Sequence, residues 1–390
     1  MAKEAMEEAG ARGWASADGF VCRSCVDEDA LRAAIGAQEI ADEECSFCDS
    51  SPAAPLDALL ETFVAGLRRL YDYARDELFW DGREGGYQGD TIDSWDVVGE
   101  FEHFLLGDGL PDAVRDALAD ELWVAKDWAV PAIDVLLTEG WDRFCDQVKY
   151  ETRYVMWRKP ADARRTPDEI EPARVLDAVG DLVDFYPEQL VAELDPATPL
   201  WRARPHGARE DVRSAKDLGT TPVEKSQSNR MSPAGIPMFY AALDADTAVA
   251  EATQSTTHKH VTVGAFHATA VGKLLDLTHL KPVPSIFAED GDERGQWLFL
   301  HHFEKTLRAK PSHEAIDYAP TQIVTEYFLR IFGDGNFFDG VVYTSDVVEG
   351  QTCIVLDIRN EECLDPPAGP PGGPRLQVEL DPVTISLRQV

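Results

Sequence analysis

The sequence predicts a multidomain fold in which a cysteine-stapled module and an all-α region precede an α+β domain. Three observations predict it. Two CxxC pairs lie near the N-terminus, a helical apolar period runs through the residues that follow, and beyond position 195 that period gives way to short apolar runs with strand character. The 390 residues exceed what one ordinary core accommodates. We expect units at 1–52, 53–195 and 196–362, with 363–390 as a Pro/Gly linker and late strands.

The first unit is read from residues 20–48, FVCRSCVDEDALRAAIGAQEIADEECSFC, where two CxxC pairs are separated by 19 residues. Each CxxC turn brings two thiolates together, and two such knuckles complete a four-thiolate shell; Cys22, Cys25, Cys45 and Cys48 are thus expected to hold structural Zn2+. A closed shell has no open position for catalysis. The other cysteines, Cys145, Cys353 and Cys363, are scattered, and an odd total of seven argues against a disulfide framework.

After Pro52, Leu56, Leu59, Leu60, Phe63, Val64, Leu67, Leu70, Tyr71 and Ala74 recur at helical spacing, predicting an amphipathic helix that ends near Trp80. Further helices are expected at about 94–106, 110–121, 129–158 and 171–193. From LWRARPH onward, strands are expected at Ile236 to Leu243, Val261 to Ala270, Leu274 to Leu277, Gly340 to Thr344 and Cys353 to Ile358. Helices at about 244–254, 293–308 and 320–332 alternate with them, which is the composition of an α+β domain. PPAGPPGG at 366–373 reads as a linker before two late strands, VEL and VTISL.

Charge narrows the function classes. Asp and Glu number 71 against 36 Lys and Arg, a formal net charge of -35 that repels phosphate backbones, so no nucleic-acid partner is expected. Hydrophobic residues at 44% suffice for folded cores. The first ten residues, MAKEAMEEAG, lack a basic region followed by an apolar run, and no run of about 18 apolar residues occurs. Neither a signal peptide nor a membrane span is expected, and the protein is read as cytoplasmic. A homo-oligomer is left open.

The densest chemistry lies in residues 229–251, NRMSPAGIPMFYAALDADTAVAE, which place an arginine before a Gly/Pro turn, a tyrosine on a strand and a carboxylate on a helix capped by Asp244 or Asp246. Arg202, Arg204, the block Tyr318-Ala319-Pro320-Thr321-Gln322 with Glu326, and Ser345 recur at element edges around it. An arginine fork grips phosphate, a carboxylate stabilises a sugar cation, and a tyrosine face packs on a base or ribose. Each residue also has a plainer reading: an ion-pair arginine, a core tyrosine, a solvated helix glutamate, a turn serine, a capping glutamine. His258 and His260 alternate about Lys259 with no further ligand to complete a shell.

The ordered set LWRAR, NRMSPAGIPMFYAALDADTAVAE, YAPTQIVTEY and DGVVYTS resembles the RES domain family. The N-terminal half, with its paired CxxC knuckles, resembles the HEPN/RES N-terminal region found ahead of some RES domains. The resemblance implies an ADP-ribosyltransferase-like fold that degrades NAD+. Position by position, it implies catalytic roles for Arg202, Arg230, Tyr240 and Glu251, and substrate binding by Ser345; Gln322 is a further substrate-binding candidate. Asn229 stands where the family often has Gly, Ser232 where it often has Asn, and Trp201 where it has Tyr or Phe. These departures keep the charged groups and bear on substrate placement.

The implied reaction is cleavage of the nicotinamide–ribose bond, by hydrolysis or with inorganic phosphate as co-substrate, in a toxin or defence effector restrained by an antitoxin or another regulatory protein. Two alternatives stay open: a protein ADP-ribosyltransferase, and an inactive zinc-binding adaptor. HEPN ribonucleases resemble one another in an Arg and a His with roughly four to six residues between them. No such pair occurs between residues 50 and 160, which sets ribonuclease activity aside.

Overall fold

A computed structural model describes residues 12–389 apart from 84, 119, 156–168, 208–211, 255, 336 and 368–374. The segment read for a leader, the end of the 129–158 helix and most of the Pro/Gly linker lie outside the described residues. The chain forms two compact units, Met1–Val135 with Pro282–Leu298 and Leu136–Lys281 with Phe299–Val390. Residues 136–195, expected with the helical region, group with the α+β elements, and 282–298 group with the N-terminal unit. No helix among the described residues is long and apolar enough to cross a membrane.

In the N-terminal unit, β1 (Phe20–Val21) pairs antiparallel with β2 (Ala54–Pro55), on either side in sequence of the helix Asp29–Ala37. Glu28 caps that helix by accepting from Leu31 N at 2.7 Å. The helix Leu56–Leu70 buries Leu59, Leu60, Phe63, Val64 and Leu67, the face its apolar spacing predicts. It stops well before Trp80 because Tyr71 turns to an extended conformation, φ -132° and ψ 146°.

β3 (Tyr71–Tyr73) leads to the hairpin of β4 (Trp80–Asp81) and β5 (Gly86–Tyr87), then to β6 (Ile92–Asp93) and β7 (Leu122–Ala125). The sheet order is β3-β7-β6. The expectation of an all-α region is therefore corrected: a helical framework carries short strands. The cause is cross-strand packing, since the Tyr73 ring sits 4.6 Å from that of Trp123, a pairing that strands provide and a continued helix does not.

Residues 282–298 complete this core. Phe287 stacks on Phe63 with ring centroids 5.3 Å apart, directly over Gly66, where a Cβ would come within 2.2 Å of the Phe287 ring. Arg69 ties the segment down by donating to Ile286 O at 2.5 Å and Glu289 O at 3.2 Å.

The second unit opens with helices Ile133–Asp146 and Val175–Phe185. The helix expected over 171–193 ends at Tyr186; Pro187 starts one further turn, and the chain then extends. β8 (Val191–Leu194), β9 (Leu200–His206), β10 (Phe239–Ala242), β11 (His260–Ala268), β12 (Gly272–Asp276), β13 (Gly340–Thr344), β14 (Thr352–Leu356), β15 (Cys363–Leu364) and β16 (Val378–Gln389) form one sheet, in the order β15-β16-β11-β9-β10-β14-β13-β12-β8. The two late strands expected from VEL and VTISL are one strand, β16, interrupted where its register on β11 jumps from Ser386 to Asp381.

Two features of this sheet position the site. β9 and β10 are joined by the single pair Ala242↔Trp201, so the ladder is nearly split at its centre. Alternation then sorts the side chains. Leu200, Phe239, Ala241, Phe266 and Ile354 enter one core with Leu218, while Trp201, Ala203, Ala242, Val263, Cys353 and Tyr343 pack on the other face against Ala248 and Val249 of the helix Ala245–Thr253.

Candidate functional site

The four cysteines meet as their spacing predicts. Their sulfurs lie within 4.8 Å of one another, with Cys22 Sγ 3.8 Å from Cys25, 3.4 Å from Cys48, and Cys25 3.6 Å from Cys45. Ligand sulfurs around a tetrahedral ion with metal–sulfur bonds of about 2.3 Å stand about 3.8 Å apart, so the donor set fits one such ion. The second knuckle closes through Asp49, which adopts φ 58° and donates its N–H to Cys45 O at 2.9 Å. Hydrogen bonds from Ser50 pull the exposed Cys48 thiol down to about 6, whereas burial pushes Cys25 up. Among the described residues, no other group of His, Cys, Asp and Glu has this geometry.

In the second unit the helix Ala245–Thr253 starts at Asp244, whose carboxylate accepts from Thr247 N at 2.8 Å. It carries Glu251 to the loop that follows β13. There Ser345 Oγ donates to Glu251 Oε1 at 2.5 Å and accepts from Val347 N at 3.2 Å and Val348 N at 3.0 Å. The two backbone donors orient the hydroxyl, so its proton is directed at the carboxylate. Cys353 Sγ lies 3.9 Å from the same oxygen. Burial, with the Glu251 charge added, pushes that thiol up to about 12.

The residue after Ser345 holds the arginine. Asp346 Oδ2 pairs with Arg230 Nη2 at 2.5 Å, and the same nitrogen reaches the carbonyls of Arg308 at 3.3 Å and Ala309 at 3.4 Å. Neither Nε nor Nη1 of Arg230 takes part in a described hydrogen bond. Arg230 sits at the tip of a reciprocal turn in which Asn229 N donates to Ser232 O at 2.8 Å and Ser232 N to Asn229 O at 3.4 Å. Gln322 clamps that turn, its Nε2 donating to Asn229 O at 2.7 Å and Ser228 Oγ at 2.9 Å.

Tyr240 lies on the sheet face that carries Cys353 and Tyr343, with its hydroxyl 2.9 Å from Ser232 Oγ. Burial pushes its pKa up to about 12, so it stays a neutral phenol. Ser232 is fully buried and links the arginine turn to this tyrosine. Tyr343, beside Cys353, has its pKa raised well above the usual value by burial.

Arg202 is placed differently. One residue along β9 from Trp201, it projects to the opposite face, with its guanidinium 5.2 Å from the Phe239 ring centroid. Nε donates to Leu218 O and Gly219 O, both at 2.9 Å, and Nη1 to Tyr240 O at 2.7 Å. It spans the near-split between β9 and β10, supplying a partner to a β10 carbonyl where the ladder has parted. The structure thus gathers Arg230, Tyr240, Glu251, Ser345 and Gln322 and leaves Arg202 behind the sheet. Glu326, one helical turn beyond Gln322, has its carboxyl pKa raised by burial and takes no part in the clamp.

Sequence reasoning missed Asp346 and Tyr343. Tyr343 lies within the quoted DGVVYTS and Asp346 follows it directly, so position near Ser345 was the available signal; their contacts needed the fold.

These features define a protein with a helical, cysteine-clustered unit and an α+β unit bearing a polar site of arginine, tyrosine and carboxylate on one face of a divided sheet. Residues 199–371 match the RES domain, and residues 38–162 match HEPN/RES N-terminal domain 1; the chain carries an RES domain behind a HEPN/RES N-terminal region. RES domains are generally associated with NAD-related toxin activity. No curated protein and no solved structure matches the chain.

Proposed function

We propose that the second unit cleaves the nicotinamide–ribose bond of NAD+ in an ADP-ribosyltransferase-like fold. One observation carries the reading: the adjacent residues Ser345 and Asp346 hold Glu251 and Arg230, so a carboxylate and an arginine fork are fixed by one loop. With Nη2 anchored by Asp346, the Nε and Nη1 donors of Arg230, on different edges of the guanidinium, each donate singly to the pyrophosphate. Ser345 orients Glu251, whose negative charge stabilises the oxocarbenium character that develops at C1′. Tyr240, neutral and fixed through Ser232, places the nicotinamide ribose.

The C1′–N bond breaks with its electron pair passing to the pyridinium nitrogen, and neutral nicotinamide leaves without an acid. An oxygen of water or phosphate then bonds C1′ and releases any proton it carries to bulk water. Arg202 contributes by holding β9 to β10 and so fixes the strand that carries Tyr240. The cysteine cluster belongs to this proposal as a structural zinc site of the N-terminal unit. A cytoplasmic site of action and a regulatory protein that covers the site are also part of it.

Purified protein incubated with NAD+, with and without phosphate, tests the reading. Nicotinamide release that Glu251→Gln abolishes supports it. Intact NAD+ in both samples contradicts it.

A further inference from the structure

The cations around the proposed site are neutralised in pairs. Arg230 is held by Asp346 at 2.5 Å, and Arg308, whose carbonyl also holds Arg230, is paired with Glu304 at 3.5 Å. Glu251 is approached by two neutral donors, the Ser345 hydroxyl at 2.5 Å and the Cys353 thiol at 3.9 Å, and forms no ion pair among the described residues. One carboxylate is left over. Around it the chain carries a formal net charge of -35. Each of the two units has its own excess of acid, the N-terminal one the larger, so both fields act on the site with the same sign.

We infer that ionic strength gates this site, anionic ligands entering only when salt screens the charge of the chain. The inference rests on the NAD+ reading above, which makes the ligand a dinucleotide with two phosphate charges and one pyridinium charge. Salt has two opposed effects on such a ligand. It weakens the attraction to Arg230, and it weakens the repulsion by everything else.

Magnitude decides between them. Arg230 and Asp346 together present a dipole, whose field falls off faster than that of a net charge. The repulsion draws on the whole net charge of -35, and its reach shrinks from about 30 Å in 0.01 M salt to about 3 Å in 1 M. Hydrogen bonds from Nε and Nη1 to the phosphates are short-range and survive screening. Repulsion is therefore the larger salt-sensitive effect, and salt tightens binding, the reverse of what a net-positive pocket does to an anion.

Calorimetric titrations of the full-length protein with ADP-ribose, a dianion, and with nicotinamide, which is uncharged, test this. The high-salt arm uses about 1 M KCl, and the low arm uses the lowest KCl at which circular dichroism shows the fold intact. Surface potentials of several kT predict that ADP-ribose binds at least about tenfold tighter in high salt, while nicotinamide stays within about twofold. Glu188, Glu193, Glu349 and Glu361 are exposed in the second unit, and replacing all four by lysine lowers the repulsion without touching the site contacts. That variant is expected to bind ADP-ribose about threefold tighter than wild type in low salt and to match it in high salt.

ADP-ribose affinity that is constant or falls with salt, an equal shift for nicotinamide, a four-lysine variant that behaves as wild type in low salt, or undetectable ADP-ribose binding in both arms would each overturn the inference. The reading of the reaction fails separately, by NAD+ left intact at every salt concentration while ADP-ribose still binds more tightly in high salt. NAD+ cleavage with salt-independent ADP-ribose binding removes the gate alone.

Discussion

Replacing Ser345 with alanine isolates the contact that organises the proposed site. Its hydroxyl donates to Glu251 Oε1 at 2.5 Å and accepts from two backbone N–H groups at 3.2 and 3.0 Å, so Ser345→Ala removes three interactions at once. A hydrogen bond to a charged group is worth about 1.5–3 kcal/mol, and the part of it realised in the transition state appears in kcat. The expected fall in kcat for NAD+ cleavage is therefore about ten- to a hundred-fold, with KM changed by less than about threefold. Ser345 is buried, so the variant leaves the two N–H groups short of a partner, and a stability loss of about 1–3 kcal/mol is expected. Single-turnover nicotinamide release, with thermal unfolding of the same samples, checks both figures. A variant that keeps kcat within twofold of wild type while Glu251→Gln is inactive would show that Ser345 only shapes the turn.

Arg202→Met is expected to act chiefly on stability, because it strips a partner from the carbonyls of Leu218, Gly219 and Tyr240; a loss of about 2–4 kcal/mol in denaturant unfolding is the expected reading. Selective loss of NAD+ affinity with unchanged stability would instead restore Arg202 to the substrate site. Metal analysis should find one zinc per chain, lost together with N-terminal thermal stability in a Cys22→Ser/Cys48→Ser double variant, and unchanged zinc in that variant would refute the four-thiolate assignment. Tyr240 titrates near 12 instead of near 10, so the folded state retains its proton as pH rises between those values, and the stability this contributes is present below pH 10 and lost above it. Between pH 6 and 9 the rate profile should carry no Tyr240 ionisation, and Tyr240→Phe should leave its shape unaltered; a limb that this substitution removes would contradict the buried phenol.

What was legible from sequence follows from what is local. The CxxC spacing dictates the sulfur cluster, because both knuckles are short turns that need little from the rest of the chain. The face of Leu56–Leu70 follows from its apolar period, and the position of Glu251 from a helix that begins on the Asp244 cap. Long-range pairing hid the remainder. Tyr71–Tyr73 is a strand because Leu122–Ala125 pairs with it, and Val191–Leu194 because β12 does. Phe287 joins the core of Phe63 across more than 200 residues of chain, a contact that no window of sequence contains.

The site divides in the same way. Alternation alone requires Trp201 and Arg202 to face opposite ways on β9, but which face meets Glu251 depends on the single-pair junction of β9 with β10. The residue types quoted from the sequence were therefore informative about chemistry, while the separation of Arg202 from Arg230, and the part played by Asp346, are properties of register and loop packing.

The central claim is that Glu251, held by Ser345 next to the Asp346 that holds Arg230, drives scission at C1′. Nicotinamide release from NAD+ by wild type and by Glu251→Gln, an isosteric change that removes the charge alone, tests it most directly. The account expects release by wild type and a loss of at least about a thousandfold in the variant, about 4 kcal/mol of transition-state stabilisation. Equal rates in the two proteins, or NAD+ intact in both, would contradict it.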